Sequence, residues 1–165
     1  MSDDARKPGT EVERKFLVDA LPDRGLSAFP ALIEQGYVAA GSNGTEVRLR
    51  RKGERFYQTI KKGQGLSRVQ TEVALSRDQF DALWPHTEGR RVVKQRHEIP
   101  YGRHVIELDV FQGLLEGLII AEVEFASVEE AGAFDPPEWF GEEVTDDARY
   151  QNRNLALHGR PTRRA

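Results

Sequence analysis

The 165-residue sequence contains no cysteine, one methionine and two tryptophans. Without cysteine there is no disulfide, no thiol nucleophile and no thiolate metal site. That absence fits a reducing, cytoplasmic setting. No apolar run approaches the ~20 residues that a helical membrane span requires, so no membrane partner is expected. The opening "MSDDARKPGT" lacks the apolar core of a secretory signal. Residues 1–9 are therefore expected as a flexible leader, and the basic stretch 159–165 as a flexible tail. Charge of one sign is lacking too. The net charge is only −3, which gives no whole-molecule attraction to nucleic acid. The four histidines, His86, His97, His104 and His158, are scattered without metal-ligand spacing. "KKGQGLSR" is rich in glycine, yet the phosphate-binding pattern G-x-x-x-x-G-K-[ST] is missing, so it reads as a hairpin turn. No serine lies in a nucleophile elbow.

What is present is charge in regular alternation. Hydrophobic residues make up 38% and charged residues 31%, a wetter balance than an average globular domain. A fold enclosing a polar cavity needs such a balance. Apolar–polar alternation predicts strands over 11–18, 33–40, 45–52, 55–62, 67–75, 90–99, 104–111 and 118–126. Short gaps punctuated by Gly, Asn and Pro join them, as in antiparallel hairpins. Ser76 with Gln79, and Ser127 with Glu130, are capping boxes that predict two helices. A third helix is expected from Thr145 or Asp146, carrying Tyr150, Leu155 and Leu157, and a further short one within 22–31. The fold class is mainly β (α+β), a barrel or strongly curved sheet with helices packed outside.

Strand side chains alternate between two faces. Glu11, Glu13 and Lys15 share one face of the first strand, opposite Val12 and Phe16. Glu46, Arg48 and Arg50 share a face, as do Tyr57, Thr59 and Lys61, and Arg68, Gln70 and Glu72. Lys94 lies with Arg96, Glu107 with Asp109, and Glu122 with Glu124. Like charges at i and i+2 lie about 7 Å apart on one strand face and repel, whereas a surface tuned for solubility intersperses signs. Sorted clusters of both signs suit a ligand that carries both, such as a metal-chelated polyphosphate. Carboxylates hold hard cations, and Arg and Lys hold phosphate oxygens.

The motif "EVERKFLV" carries E-x-E-x-K, and "QGYV", "EVRLRR", "TIKKGQGLSR", "WPHTEGRRVVKQR", "ELDVF", "AEVEF" and "RYQNRNLA" follow in order. This series resembles the CYTH superfamily of triphosphate tunnel metalloenzymes, in its short bacterial form, over residues 10–158. The resemblance implies one domain, an eight-stranded antiparallel β-barrel tunnel. It implies Mg²⁺ or Mn²⁺ as cofactor, two ions during turnover. Glu11, Glu13, Glu72, Glu107, Asp109, Glu122 and Glu124 are the expected metal-binding set. Lys15, Arg48, Arg50, Lys61, Arg68, Lys94, Arg96 and Arg153 are the expected phosphate-binding set. Gln70 falls where some relatives carry glutamate.

The expected activity is hydrolysis of inorganic tripolyphosphate to pyrophosphate and phosphate. Lys15 serves either as a phosphate ligand or as a general base oriented by Tyr37. Hydrolysis of thiamine triphosphate or nucleotides, class IV adenylate cyclase chemistry, and non-catalytic polyphosphate binding are the alternatives. The oligomeric state stays open, a homodimer included.

Overall fold

The computed structural model describes residues 12–42, 44–63 and 69–162. Glu11 and Arg68 lie outside the described residues. The alternating segments form eight strands: β1 Val12–Leu17, β2 Ala31–Ala40, β3 Glu46–Lys52, β4 Arg55–Lys62, β5 Val69–Leu75, β6 Arg91–Tyr101, β7 His104–Phe111 and β8 Ile119–Phe125. They pair antiparallel in one sheet ordered β1-β8-β7-β6-β2-β3-β4-β5. Among the described residues β1 and β5 do not pair, so the sheet is barrel-like without a closed ladder. Gly53 and Gly102 take φ of 58° and 60° at the first position of two-residue hairpin turns, a conformation that side chains with a Cβ resist.

Three helices join the sheet: α1 Arg77–Leu83, α2 Val128–Ala133 and α3 Asn152–His158. The Ser76–Gln79 capping box forms in both directions. In α2, Ser127 accepts from the Glu130 amide, but the Glu130 carboxylate reaches back one residue further, to the amide of Ala126. The third helix starts later than expected. Asp147 instead caps a 3-10 turn over Ala148–Tyr150, and an extended Gln151 separates that turn from α3. Segment 22–31 holds no helix. Gly25 there adopts φ 91°, outside the helical range, and residue 31 already belongs to β2.

The apolar strand faces pack in three groups. On the outside, α1 brings Phe80, with Leu83 and Trp84, against Leu49 and Phe56. Also outside, α2 covers Ile106, Leu108, Val123 and Phe125 with Ala131 and Phe134. The third group joins Leu17, Tyr37, Val92, Phe111 and Ile120 to Tyr150, Leu155 and Ala156. Leu17, Val92, Phe111 and Ile120 share the parity of Lys15, Lys94, Asp109 and Glu122. This cluster therefore lies on the concave side, and α3 closes one end of it. None of the described helices is long and apolar enough to cross a membrane.

Candidate active site

Strand parity and sheet curvature direct the charged faces into one cavity of about 370 Å³. All eight strands contribute. Glu13 and Lys15 come from β1, Gln35 and Tyr37 from β2, and Glu46, Arg48 and Arg50 from β3. Lys61 and Gln70 come from β4 and β5, Lys94 and Arg96 from β6, Glu107 from β7, and Glu122 and Glu124 from β8. Gln151, Asn152 and Arg153 approach from the start of α3.

The acidic side centres on β1 and β8. Glu13 pairs across the ladder with Glu124, and Lys15 with Glu122. One carboxylate oxygen each from Glu13, Glu122 and Glu124 lies within 4.8 Å of the others. Burial, then a hydrogen bond with Glu13, pushes the Glu122 carboxyl up to about 7. Hard oxygen ligands converging at this spacing, with one carboxyl reluctant to ionise beside another, fit a divalent cation that would relieve the repulsion.

The cationic side faces this cluster. Buried Nε atoms of Arg48, Arg50 and Arg153 have no hydrogen-bond partner. Burial, then repulsion from Arg96 and Arg48, lowers the Arg50 guanidinium below its ordinary value. Arg153 Nη2 donates to the carbonyl of Gly41, 3.3 Å away, tying α3 to the end of β2. Lys15 donates from Nζ to the Tyr150 carbonyl at 3.3 Å. Buried donors left unsatisfied are costly, and a polyanion in the cavity is the ligand chemistry that would satisfy them.

Asp109 occupies a separate niche. Its carboxylate meets Lys94 Nζ at 2.7 Å and Arg96 Nε at 2.7 Å, while Arg96 Nη1 meets Glu107 Oε2 at 2.6 Å. Burial alone would raise the Asp109 carboxyl, but Lys94 and Arg96 hold it down to about 2. Burial lowers the Lys94 ammonium, with Asp109 opposing. Lys94 also donates to Asn152 Oδ1 at 3.3 Å.

Of the residues expected at the site, Glu13, Lys15, Tyr37, Arg48, Arg50, Lys61, Lys94, Arg96, Glu107, Glu122, Glu124 and Arg153 line the cavity. Asp109 sits behind its wall, bound to two lining cations. Glu72 is exposed on β5 and accepts from Thr59 Oγ1 at 3.3 Å. Lys15 and Tyr37 share the cavity, but Lys15 bonds to Tyr150, and the Tyr37 hydroxyl accepts from Gln35 Nε2 at 2.7 Å. Gln35, Glu46, Gln70, Gln151 and Asn152 also line the cavity and were not expected as site residues. Parity had set Glu46 and Gln70 on the charged faces, and Gln35 was open to it too, two residues before Tyr37. Gln151 and Asn152 were not, since strand alternation says nothing of a helix start.

A curled antiparallel sheet, with facing carboxylate and guanidinium walls around one cavity, defines a polyanion-handling β-tunnel protein. A CYTH domain family model matches residues 9–156, and the chain belongs to that family. It is 50% identical over 150 residues to an inorganic triphosphatase of Nitrosomonas europaea, covering 90% of this chain and 97% of that protein. A second inorganic triphosphatase, from Acetivibrio thermocellus, is 34% identical over 149 residues, covering 89% and 93%. A crystal structure of an inorganic triphosphatase superposes with a TM-score of 0.75 at 45% identity, covering 90% of this chain and 95% of that one.

Proposed function

We propose that the protein is a divalent-metal-dependent hydrolase that cleaves inorganic tripolyphosphate to pyrophosphate and phosphate. The observation that carries this is the set of buried, unpartnered Nε atoms on Arg48, Arg50 and Arg153, lining one cavity with Glu13, Glu122 and Glu124. The family match and two curated inorganic triphosphatases among its relatives support the choice of substrate.

In this reading Glu13, Glu122 and Glu124 hold the metal, and Glu107 and Glu11 are assigned to the same acidic set. Bound there, Mg²⁺ or Mn²⁺, two ions during turnover, would polarise phosphate oxygens and lower the pKa of the attacking water. Arg48, Arg50, Lys61, Lys94, Arg96 and Arg153 grip phosphate oxygens and stabilise charge on the transferring group, and Arg68 is assigned to the same set. Asp109 and Glu72 act behind them. Asp109 holds Lys94 and Arg96 in place, and Glu72 lends Arg50 an opposite charge. Lys15 lies between the two walls, as a phosphate ligand or as a base toward the attacking water. Few groups on the lining could read a base or a thiazole, so inorganic triphosphate is favoured over nucleotides and thiamine triphosphate. The same reading makes this a cytoplasmic enzyme whose partner is the small anion, not nucleic acid or membrane.

The test is phosphate release from tripolyphosphate, ATP, thiamine triphosphate and pyrophosphate, each with Mg²⁺, Mn²⁺ or chelator. Tripolyphosphate should give the highest kcat/KM, and chelator should abolish release. ATP or thiamine triphosphate exceeding it tenfold would reassign the substrate.

A further inference from the structure

Gln35 is a buried, uncharged side chain in a wall built mostly of charges. It is 4% exposed, lines the cavity, and its Nε2 donates to the Tyr37 hydroxyl at 2.7 Å. Gln35 and Tyr37 stand two apart on β2, so both side chains leave the strand on the cavity side. Arg48 is the cross-strand partner of Tyr37, and its positive charge acts on the same phenol, with the Glu46 carboxylate opposing it. An arginine can only donate. The Tyr37 oxygen is thus an acceptor toward Gln35, and neither neighbour takes its proton. Tyr37 is 1% exposed, so bulk water is not the recipient. The O–H is left to the cavity that Tyr37 lines together with Glu46.

We propose that Gln35 aims the Tyr37 hydroxyl hydrogen at a phosphate oxygen of the bound substrate, making Gln35 a positioning residue. This rests on the triphosphate reading above. Burial raises the Tyr37 phenol above its ordinary value, so the proton stays on at neutral pH. The aimed donor adds to the guanidinium grip a short, neutral hydrogen bond to an anionic oxygen, a charge-assisted type. Without Gln35 the hydroxyl is free to rotate, and its alignment must be restored at each binding event.

The test is a double-mutant cycle on the full chain with Mg²⁺, read as kcat/KM for tripolyphosphate and, independently, as its Kd by calorimetry. Tyr37→Phe should lower kcat/KM on the order of ten- to a hundredfold, the worth of one hydrogen bond to a charged group. Gln35→Met should lower it in the same kcat-against-KM proportion. In the Tyr37→Phe background, Gln35→Met should add no further loss, because there is no hydroxyl left to aim. Gln35→Glu keeps the shape but accepts a hydrogen bond from the Tyr37 hydroxyl and turns it away from the substrate, so it should lose at least as much as Tyr37→Phe. It also serves if Gln35→Met proves unfolded in a thermal melt. The proposal is overturned if Gln35→Met costs its full factor in both backgrounds, or if neither Tyr37→Phe nor the Gln35 variants change binding or turnover. Wild-type protein that binds tripolyphosphate without releasing phosphate refutes the activity alone, and the cycle is then read from Kd. Wild-type protein that does not bind it refutes both.

Discussion

The Asp109 carboxylate contacts the Lys94 ammonium at 2.7 Å, with each side chain only 3% exposed. Two charges taken this far out of water remain ionised because each satisfies the other, and Arg96 adds two further bonds to the same carboxylate. The pair fixes the height at which Lys94 and Arg96 enter the cavity.

Stability should therefore depend on acid through Asp109. Its folded value, about 2, lies below the ordinary 3.8. A depressed carboxyl contributes stability that is fully present above its unfolded value and is lost as pH falls through the folded one. Asp109→Asn should destabilise the protein at pH 6 by roughly 3–5 kcal/mol, since it strands a buried Lys94. The gap to wild type should narrow between pH 4 and pH 2. Urea denaturation of both proteins across that range is the measurement, and a pH-independent gap would refute the ionised pair.

The acidic cluster makes a prediction about metal. Glu13, Glu122 and Glu124 gather within 4.8 Å, so each carries part of one ion's coordination. Glu124→Gln should keep the fold and raise the Mg²⁺ or Mn²⁺ needed for half-maximal activity by roughly 10- to 100-fold. Titration calorimetry with Mn²⁺ alone should show the same weakening. Wild-type metal affinity in both Glu122→Gln and Glu124→Gln would remove the ion from this cluster.

Much of this arrangement was legible in the sequence because a strand has a period of two. Parity placed Glu13 and Lys15, Arg48 and Arg50, and Glu122 and Glu124 each on one face, and the curled sheet made those faces one wall. Parity could not show that the faces differ in depth. Asp109 and Glu107 alternate alike, yet Asp109 is buried between two cations while Glu107 reaches the cavity. Nor could it show that β5 ends the sheet formed by the described residues, which leaves Glu72 exposed although its parity is correct. The late start of α3 was hidden as well. Thr145 and Asp146 look like caps, but Thr145 Oγ1 instead accepts the Lys15 amide and donates to Glu143. Those bonds join the segment to the edge of β1, where a helix could not lie.

Gly36 should tolerate no side chain. It stands between Gln35 and Tyr37 on β2, and a Cβ there would come within 2.6 Å of the Thr87 side chain. Thr87 is fully buried in the 3-10 turn after α1, where Arg91 donates to its hydroxyl. It has nowhere to retreat. Gly36→Ala should cost about 1–3 kcal/mol by overpacking and also lower kcat/KM, because β2 carries Tyr37. A melting temperature equal to wild type would show that the turn moves aside freely.

Arg48 and Arg50 separate substrate grip from fold. Both emerge from β3 toward the cavity, two residues apart, and each leaves a buried Nε without a partner. A group unsatisfied in the free protein contributes little to stability and is available to a ligand. Arg50→Ala should therefore leave the melting temperature nearly unchanged, or raise it, since Arg50 is repelled by Arg48 and Arg96. The same change should raise KM for tripolyphosphate on the order of tenfold to a hundredfold, as expected for a lost hydrogen bond to a charged group. Arg48 differs in one respect, because it stands across the ladder from Tyr37 and its charge acts on that phenol. Arg48→Ala should accordingly lower kcat as well as raise KM, whereas Arg50→Ala acts mainly on KM. Steady-state kinetics of both variants, with a thermal melt of each, decide the matter. Normal KM in both would place β3 outside the phosphate path, and a large loss of stability in Arg50→Ala would mean that its guanidinium supports the fold instead.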